Sequence, residues 1–287
     1  MAIEATDLPF LLEEAKACPF AGEAFVAGGR LSFDKAALQA ATAHIGIMLS
    51  DLPKGALTAE GLFRALGFSA VYVLSEDGAL DQPEPPEHLA GRFAAVFDFG
   101  ESQRTFRLPN AFVHLGRLVA PGGRLVHVAP SANNMDAVWY MLSPTLLHDH
   151  YRANAWPLER LRLVRHDPGA GAVEILAYEP GLLHPVTHGG LDDAVYRIVC
   201  IARRAPDSTV GRIPQQSFYE RAWDAGMPGA GGSGGGGAEA LKRFIRKNRL
   251  VYRAFYNLAM ARKKRSLRAA CLKPLARYPV SSWTEGR

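Results

Sequence analysis

The architecture of this chain shows most clearly in the run Leu118-Val119-Ala120-Pro121-Gly122-Gly123-Arg124-Leu125-Val126-His127-Val128. Before it, apolar residues between positions 110 and 119 recur at helical spacing. Pro121 cannot continue a helix, and the two glycines supply the positive φ of a tight turn. Residues 125–128 are β-rich, and residues 94–99 form a short apolar run typical of a buried parallel strand. Strand, helix, turn and strand make a βαβ crossover, which predicts an α/β domain.

Composition predicts a folded protein of the cytoplasm. The 287 residues are 48% hydrophobic and 21% charged, as in ordinary globular domains. No apolar run approaches the roughly 20 residues of a membrane-spanning helix. The acids Glu4, Asp7, Glu13 and Glu14 near the N-terminus have the wrong charge for a secretory signal. Three cysteines, far apart in sequence, predict neither a disulfide framework nor a zinc site.

The net charge of +5 conceals two oppositely charged parts. Residues 238–287 carry 14 Lys and Arg and two acids, whereas residues 1–237 carry 19 Lys and Arg and 26 acids. We therefore predict an α/β domain over 1–205, a flexible Gly-rich linker over 206–237 and a basic helical tail over 238–287.

The tail contains an amphipathic pattern over residues 238–270 that predicts a helix. Its apolar stripe suits packing on its own domain or on a second copy, and the basic face suits a protein partner or an anionic membrane surface. Nucleic acid is not expected, because the sequence contains no known nucleic-acid-binding module. The sequence therefore predicts a cytoplasmic protein, with peripheral attachment to the inner membrane face as an alternative.

Further elements follow from apolar spacing and capping residues. The predicted helices are Leu8 to Lys16, Asp34 to Met48 with Ser32 or Asp34 as N-cap, and Ala59 to Leu66 capped by Thr58. The predicted strands are Glu23 to Ala27, Ser69 to Leu74, Leu158 to Val164, Val173 to Tyr178 and Val195 to Ala202. The turn at residues 167–171 predicts a hairpin between the third and fourth of these strands.

The βαβ unit resembles the second half of class I S-adenosylmethionine-dependent methyltransferases, in which a strand-end acid, a helix and a Pro-Gly-Gly turn precede the fifth strand. Residues 129–134, 139–144 and 151–156 are similar to a bacterial methyltransferase-like subfamily associated with surface-saccharide and secondary-metabolite clusters. The resemblance covers about Cys18 to Arg203. It implies a doubly wound, mostly parallel, seven-stranded-type Rossmann-like sheet, S-adenosylmethionine as cofactor, and a hydroxyl of a sugar or small metabolite as acceptor.

Candidate cofactor-binding residues lie at predicted strand ends, where open α/β sheets bind ligands. Glycines after the first strand allow close approach of a cofactor, although a plain turn explains them equally well. A carboxylate after the second strand suits the two ribose hydroxyls, with a solvated turn as the alternative. The candidate cofactor-binding residues are Gly28, Gly29, Arg30, Ser75, Glu76, Asp77, Asp81, Asp98 and Gly100. Of these, Gly28, Gly29, residues 75–77, Asp98 and Gly100 are expected to line one cleft. Asp81 is included because the resembling family has an Asp-Leu-Asn-x-Pro stretch near the adenine at this point.

The catalytic positions depart from the pattern of the resembling family. A Glu-His pair of the family is Gln103-Arg104 here, and a later histidine is replaced near Asp136. Neither Gln nor Arg accepts a proton at physiological pH. The remaining candidate catalytic acids are Asp98, Glu101 and Asp136. The alternative is a catalytically degenerate pseudo-methyltransferase that acts as a binding partner or scaffold.

Three histidines near this region are predicted to be structural. His127 alternates along a strand and points either to the cleft or into the helix layer. His148 and His150 diverge on a helix, so they are not expected to bind a metal.

Overall fold

The computed structural model of the protein describes residues 2–49, 52–74, 78–167, 169–183, 191–217, 257–258 and 272–284. The helices are α1 Leu8–Ala17, α2 Lys35–Ile45, α3 Ala59–Ala65, α4 Leu108–Leu118, α5 Pro144–Ala153 and α6 Ser281–Thr284. The strands are β1 Ala2–Ile3, β2 Glu23–Ala27, β3 Arg30–Leu31, β4 Ala70–Val73, β5 Phe93–Asp98, β6 Val119–Ala132, β7 Leu158–Asp167, β8 Ala172–Ala177, β9 Val195–Arg203 and β10 Pro274–Tyr278.

The centre of the described fold is an eight-stranded sheet in the order β10-β8-β7-β9-β6-β5-β2-β4. The strands β4, β2, β5 and β6 run parallel to one another. The pairings β6 with β9, β9 with β7, β7 with β8 and β8 with β10 are antiparallel. The predicted hairpin is confirmed, because β7 and β8 are antiparallel neighbours. The sheet confirms the predicted doubly wound α/β fold, and three of its seven strand pairings are parallel.

Helices cover both faces of the sheet. Along β2, the buried side chains alternate: Ala24 and Val26 contact one apolar cluster, whereas Phe25 and Ala27 contact the other. The first cluster includes residues of α1, α2, α3 and α6, and the second includes residues of α4 and α5. The longest helices of the described residues have 11 residues, and none has the length and apolar character needed to cross a bilayer.

The predicted helix N-caps follow the sequence rules. The side chain of Asp34 accepts a hydrogen bond from Ala37 N at 2.9 Å, and that of Thr58 accepts one from Gly61 N at 3.0 Å. Each cap satisfies a backbone donor that the first turn of a helix leaves unpaired. The choice between Ser32 and Asp34 is thus decided for Asp34.

The run Pro121-Gly122-Gly123 forms a bulge of β6 and not a separate turn. Pairing of β6 with β5 shifts register between Phe93 and Ala95, which accommodates the extra residues. Gly122 has φ +76°, and its N–H donates to Arg204 O at 2.9 Å. The predicted positive φ is confirmed at Gly122, but these residues belong to the bulged strand β6 and not to a turn that precedes it.

The last described residues form an edge strand and a short helix that complete the core, and not one long helical tail. Residues 274–278 form the edge strand β10, and Tyr278 and Trp283 are buried against α2. The assignment of 238–287 to one helical appendage is therefore corrected at its end, because these apolar side chains complete the core. Of the predicted helix over 238–270, the described residues are Asn257 and Leu258, which are helical, with Leu258 70% exposed.

The beginning of the predicted linker also packs on the domain. Trp156 Nε1 donates to Thr209 O at 2.6 Å, and Thr209 N donates to Asn154 O at 2.8 Å. A bound backbone of this kind is not a flexible linker, so the domain extends past residue 205. Residues 218–237 lie outside the described part of the chain.

We predict that Gly123→Ala destabilises the protein by about 1–3 kcal/mol, the usual cost of overpacking. A Cβ at this position would lie 2.9 Å from each of three backbone oxygens, those of Phe93, Ala94 and Ala120. Backbone atoms inside a sheet cannot move aside as a flexible side chain can. The measurement is the free energy of unfolding in urea. Gly55→Ala is the matched control because nothing lies within 4 Å of its Cβ; equal losses in both variants would contradict the prediction.

We also predict that Trp283→Ala lowers the free energy of unfolding by about 3–5 kcal/mol. Its side chain is buried, and its ring lies 5.9 Å from His44 and 6.4 Å from Tyr278. Removing the indole leaves a cavity under α6. Leu275→Ala, at a β10 side chain that is 53% exposed, is the control and should change stability by less than about 1 kcal/mol. A Trp283 variant as stable as the wild type would mean that the C-terminal segment does not complete the core.

Candidate functional site

The carboxyl ends of β2, β4 and β5 meet, as the sequence predicts. Ala27 pairs with Asp98, and Val26 pairs with Val73. Gly28 and Gly29 follow β2 directly and therefore lie next to the end of β5. Gly29 and Asp98 therefore lie at the same end of these strands, and their shared lining of one cleft stays a prediction.

Glycine is required at positions 28 and 29 for two different structural reasons. Gly28 has φ +91°, a conformation that glycine adopts without strain. At Gly29, a Cβ would lie 2.1 Å from Cγ1 of Val73, so the missing side chain allows the loop to pack on β4. Arg30 lies beyond the cleft, exposed, where it pairs with Ala2 in the small sheet of β1 and β3.

A polar cavity of about 270 Å³ opens at these strand ends. The predicted residues Asp81 and Glu101 line it, and Arg104 and Trp139 were not predicted as site residues. The complete described lining is Leu74, Gly78, Ala79, Leu80, Asp81, Glu101, Arg104, Thr105 and Trp139. The candidates Ser75, Glu76 and Asp77 lie outside the described residues. Gly28, Gly29, Asp98 and Gly100 are not part of this described lining.

Asp98 lies beneath the cavity, fully buried, and its carboxylate is saturated by hydrogen bonds. Oδ1 accepts from Glu101 N at 2.9 Å and from Ser102 N at 3.1 Å. Oδ2 accepts from Ser102 Oγ at 2.5 Å and from His127 Nδ1 at 2.8 Å. Four donors around a buried carboxylate leave no acceptor site for a substrate, so the geometry favours a structural role over the predicted catalytic one.

His127 continues the network to α5. Its Nε2 is hydrogen-bonded to the hydroxyl of Tyr151. Because a carboxylate only accepts hydrogen bonds, Nδ1 of His127 is the donor to Asp98. His127 is fully buried and has both ring nitrogens bonded, which confirms the expectation of a satisfied structural histidine.

The ionisation of the network follows from this geometry. Burial by itself raises the pKa of Asp98, but hydrogen bonds from His127 and Ser102 outweigh it and hold that pKa below its ordinary value. Burial, with the nearby Cys200 and Asp98, raises the pKa of Tyr151 well above its ordinary value. Tyr151 therefore keeps its proton, and Asp98 stays ionised.

Gln103, at the position of a family Glu, is also fully buried. The side-chain Nε2 of Gln103 donates to Ser102 Oγ at 2.6 Å. The backbone carbonyl oxygen of Gln103 accepts from the backbone N–H groups of Trp139 and Tyr140 at 3.1 and 3.2 Å. Its Oε1 has no hydrogen-bond partner among the described residues. Gln103 thus holds two loops together.

The other predicted acid and the remaining histidines lie away from the cavity lining. Asp136 is exposed on a loop with φ +64°. Burial, followed by the charge of His127, lowers the pKa of His150 to about 4. His148 Nδ1 is 2.8 Å from Asp149 Oδ1. In the described part of the chain, no group of three or more His, Cys, Asp or Glu side chains could hold a metal ion.

Comparisons with known proteins give only distant likenesses. No family model and no curated protein matches the sequence. A solved structure concerned with conversion of a disulfide bond into a thioacetal group in echinomycin biosynthesis is similar at 17% identity and TM-score 0.36, over 77% of this chain and 88% of that one. A putative methyltransferase from Bacillus halodurans C-125 is similar at 14% identity and TM-score 0.40, over 70% and 99%.

A variant of the 16S rRNA (adenine(1408)-N(1))-methyltransferase from Catenulisporales acidiphilia is similar at 14% identity and TM-score 0.33, over 69% of this chain and 93% of that one. Likenesses of this size carry no conclusion about the activity of this chain. The fold assignment follows from its own strand order.

We predict that Asp98→Asn lowers the free energy of unfolding at pH 7 by about 3 kcal/mol, because it breaks a buried charged network. The folded-state pKa of Asp98 lies below its ordinary value, so its contribution is present above pH ~4 and is lost as pH falls through the folded pKa. Urea unfolding at pH 7 and at pH 3 should therefore show a smaller difference between wild type and variant at pH 3.

The control is Asp207→Asn, which changes an exposed carboxylate. A loss at Asp98 that is the same at both pH values would show that the charge of the carboxylate does not stabilise the fold.

Proposed function

We propose that the cavity binds S-adenosylmethionine and that the protein is a methyltransferase acting on a hydroxyl of a sugar or other small metabolite. One observation carries the proposal. The cavity lies at the carboxyl ends of adjacent parallel strands and brings two carboxylates and one guanidinium to its wall. Ligands of open α/β sheets bind at this edge.

The lining residues fit the cofactor in kind. The carboxylate of Asp81 would accept hydrogen bonds from the ribose hydroxyls. The volume of about 270 Å³ lies just below the roughly 300–1,000 Å³ common for small-molecule sites. When bound, the cofactor supplies an electrophilic methyl group.

Among the candidate catalytic acids, Glu101 has the position to act on a bound molecule. Its side chain is 23% exposed on the cavity wall and forms an ion pair of 3.4 Å with Arg104. Asp98 is enclosed beneath, and Asp136 lies outside the lining. We propose Glu101 as the group that accepts the proton of the acceptor hydroxyl and passes it to solvent.

A second candidate function is the pseudo-methyltransferase, which binds the cofactor without turnover and acts as a partner or scaffold. The burial of Gln103 favours it. The residue at the position of the family acid faces Ser102 and the backbone of the 139–140 loop and has no access to the cavity lining.

We predict that S-adenosylmethionine binds the full-length chain and that Asp81→Asn weakens binding by about 10- to 100-fold, whereas Glu101→Gln, at the proposed proton acceptor, binds the cofactor like the wild type. The loss corresponds to one hydrogen bond to a charged group, roughly 1.5–3 kcal/mol. Asn at position 81 keeps an oxygen for the hydrogen bond that Asp81 Oδ1 accepts from Arg107 N. Isothermal titration calorimetry measures each dissociation constant.

Glu60→Gln is the control, since Glu60 is an exposed carboxylate in an ion pair with Arg64 on α3. Binding with transfer of a labelled methyl group to a hydroxyl compound supports the methyltransferase, and binding without any transfer supports the pseudo-methyltransferase. Absence of binding, or equal binding by Asp81→Asn and Glu60→Gln, would reject the proposed cofactor site.

A further inference from the structure

Two large aromatic side chains face solvent at the mouth of the cavity. Trp139 is 70% exposed and Phe106 is 67% exposed. Their rings meet edge to face, with centroids 5.7 Å apart and planes at 82°. Trp139 also lines the cavity. Adjacent exposed rings beside a cavity are typical of a ligand-binding surface and not of an ordinary solvated loop.

The backbone beneath this aromatic pair is fixed. The N–H groups of Trp139 and Tyr140 both donate to Gln103 O, and the Tyr140 hydroxyl donates to Phe106 O at 2.9 Å. These bonds tie the two ring-bearing loops to each other and to the buried network around Asp98. The rings are therefore presented in a defined position, which lowers the entropic cost of stacking a ligand on them.

The guanidinium of Arg104 lines the same cavity as Trp139. The side chain of Arg104 is 54% exposed, and its ion pair with Glu101 has a length of 3.4 Å. Exposed ion pairs of this kind contribute little free energy. Arg104 can therefore exchange Glu101 for a carboxylate on a ligand at small cost, and its planar guanidinium suits bidentate pairing with that group.

We propose that Trp139, Phe106 and Arg104 bind the acceptor of the proposed methyl transfer, and that this acceptor is a phenol carrying a carboxylate and not a sugar. The proposal rests on the proposed function of the cavity and narrows its substrate class. The ring stacks on Trp139, the carboxylate pairs with Arg104, and the phenolic hydroxyl faces Glu101.

The acidity of the hydroxyl supports the phenol. A phenol has a pKa near 10, as tyrosine has, whereas an aliphatic sugar hydroxyl is a much weaker acid. In the described lining of the cavity, the groups able to accept a proton are the carboxylates Asp81 and Glu101, and no histidine is among them. A carboxylate is a weak base, so the site suits a hydroxyl that gives up its proton readily.

The test measures binding of three probes to the full-length protein by calorimetry: 4-hydroxybenzoate, 4-methylphenol and methyl α-glucoside. We expect 4-hydroxybenzoate to bind most tightly and the glucoside most weakly. Trp139→Ala should weaken 4-hydroxybenzoate at least tenfold, and Trp139→Phe should restore most of the loss. Met48→Ala, which changes a side chain that is 97% exposed and is not part of the cavity lining, is the control.

Arg104 is tested with the same probes. Arg104→Gln should weaken 4-hydroxybenzoate about tenfold and leave 4-methylphenol, which has no carboxylate, unchanged. Arg104→Lys should retain part of the affinity for 4-hydroxybenzoate because it keeps the charge without the planar fork. Equal losses for both phenols would show that Arg104 acts on the fold and not on the carboxylate, and would overturn its assigned role.

The outcomes separate this inference from the proposed function. Binding of S-adenosylmethionine with tighter binding of the glucoside than of 4-hydroxybenzoate, or with no effect of Trp139→Ala, would overturn the phenol inference alone. Binding of 4-hydroxybenzoate by a protein that does not bind S-adenosylmethionine would overturn the proposed function and, with it, the acceptor role of the rim.

Discussion

The buried carboxylate of Asp98 is the constraint on which the site depends. Transfer of an ionised carboxylate from water into a protein interior costs several kcal/mol unless hydrogen-bond donors replace the lost water. Here two backbone N–H groups, one hydroxyl and one imidazole replace it. Because each donor has to stay in place, the charge fixes the loop after β5, the side chain on β6 and, through Tyr151, the helix α5.

The order imposed by Asp98 extends outward to the surface. Ser102 bonds Asp98 and also accepts from Gln103, whose carbonyl oxygen fixes the backbone of the 139–140 loop. On the other side, Tyr151 packs on Trp156, whose indole N–H donates to Thr209 O in the segment after β9. A buried network thus positions both the rim of the cavity and the segment that follows β9.

Sequence patterns predict the features that depend on near neighbours and miss those that depend on distant ones. The cap at Thr58 and the alternation along β2 are local, so they could be recognised from spacing. The pairing of β10 with β8 joins residues almost a hundred positions apart, and no local pattern identifies it. The sequence places Asp98 correctly at the end of a strand. Its burial depends on how the following loop packs, so the sequence does not predict that its carboxylate is saturated by hydrogen bonds.

The same burial explains the replacement that first suggested a lost activity. Gln103 donates to Ser102, which itself bonds Asp98, so a glutamate at this position would bring a second negative charge close to a buried carboxylate. Like charges in a low-dielectric interior repel strongly, whereas a neutral amide can donate and adds no charge. The neutral residue is therefore what this packing of the loop requires. The proposed chemistry of the site therefore rests on Glu101 and Arg104 at the cavity wall, because Gln103 is committed to the packing of this loop.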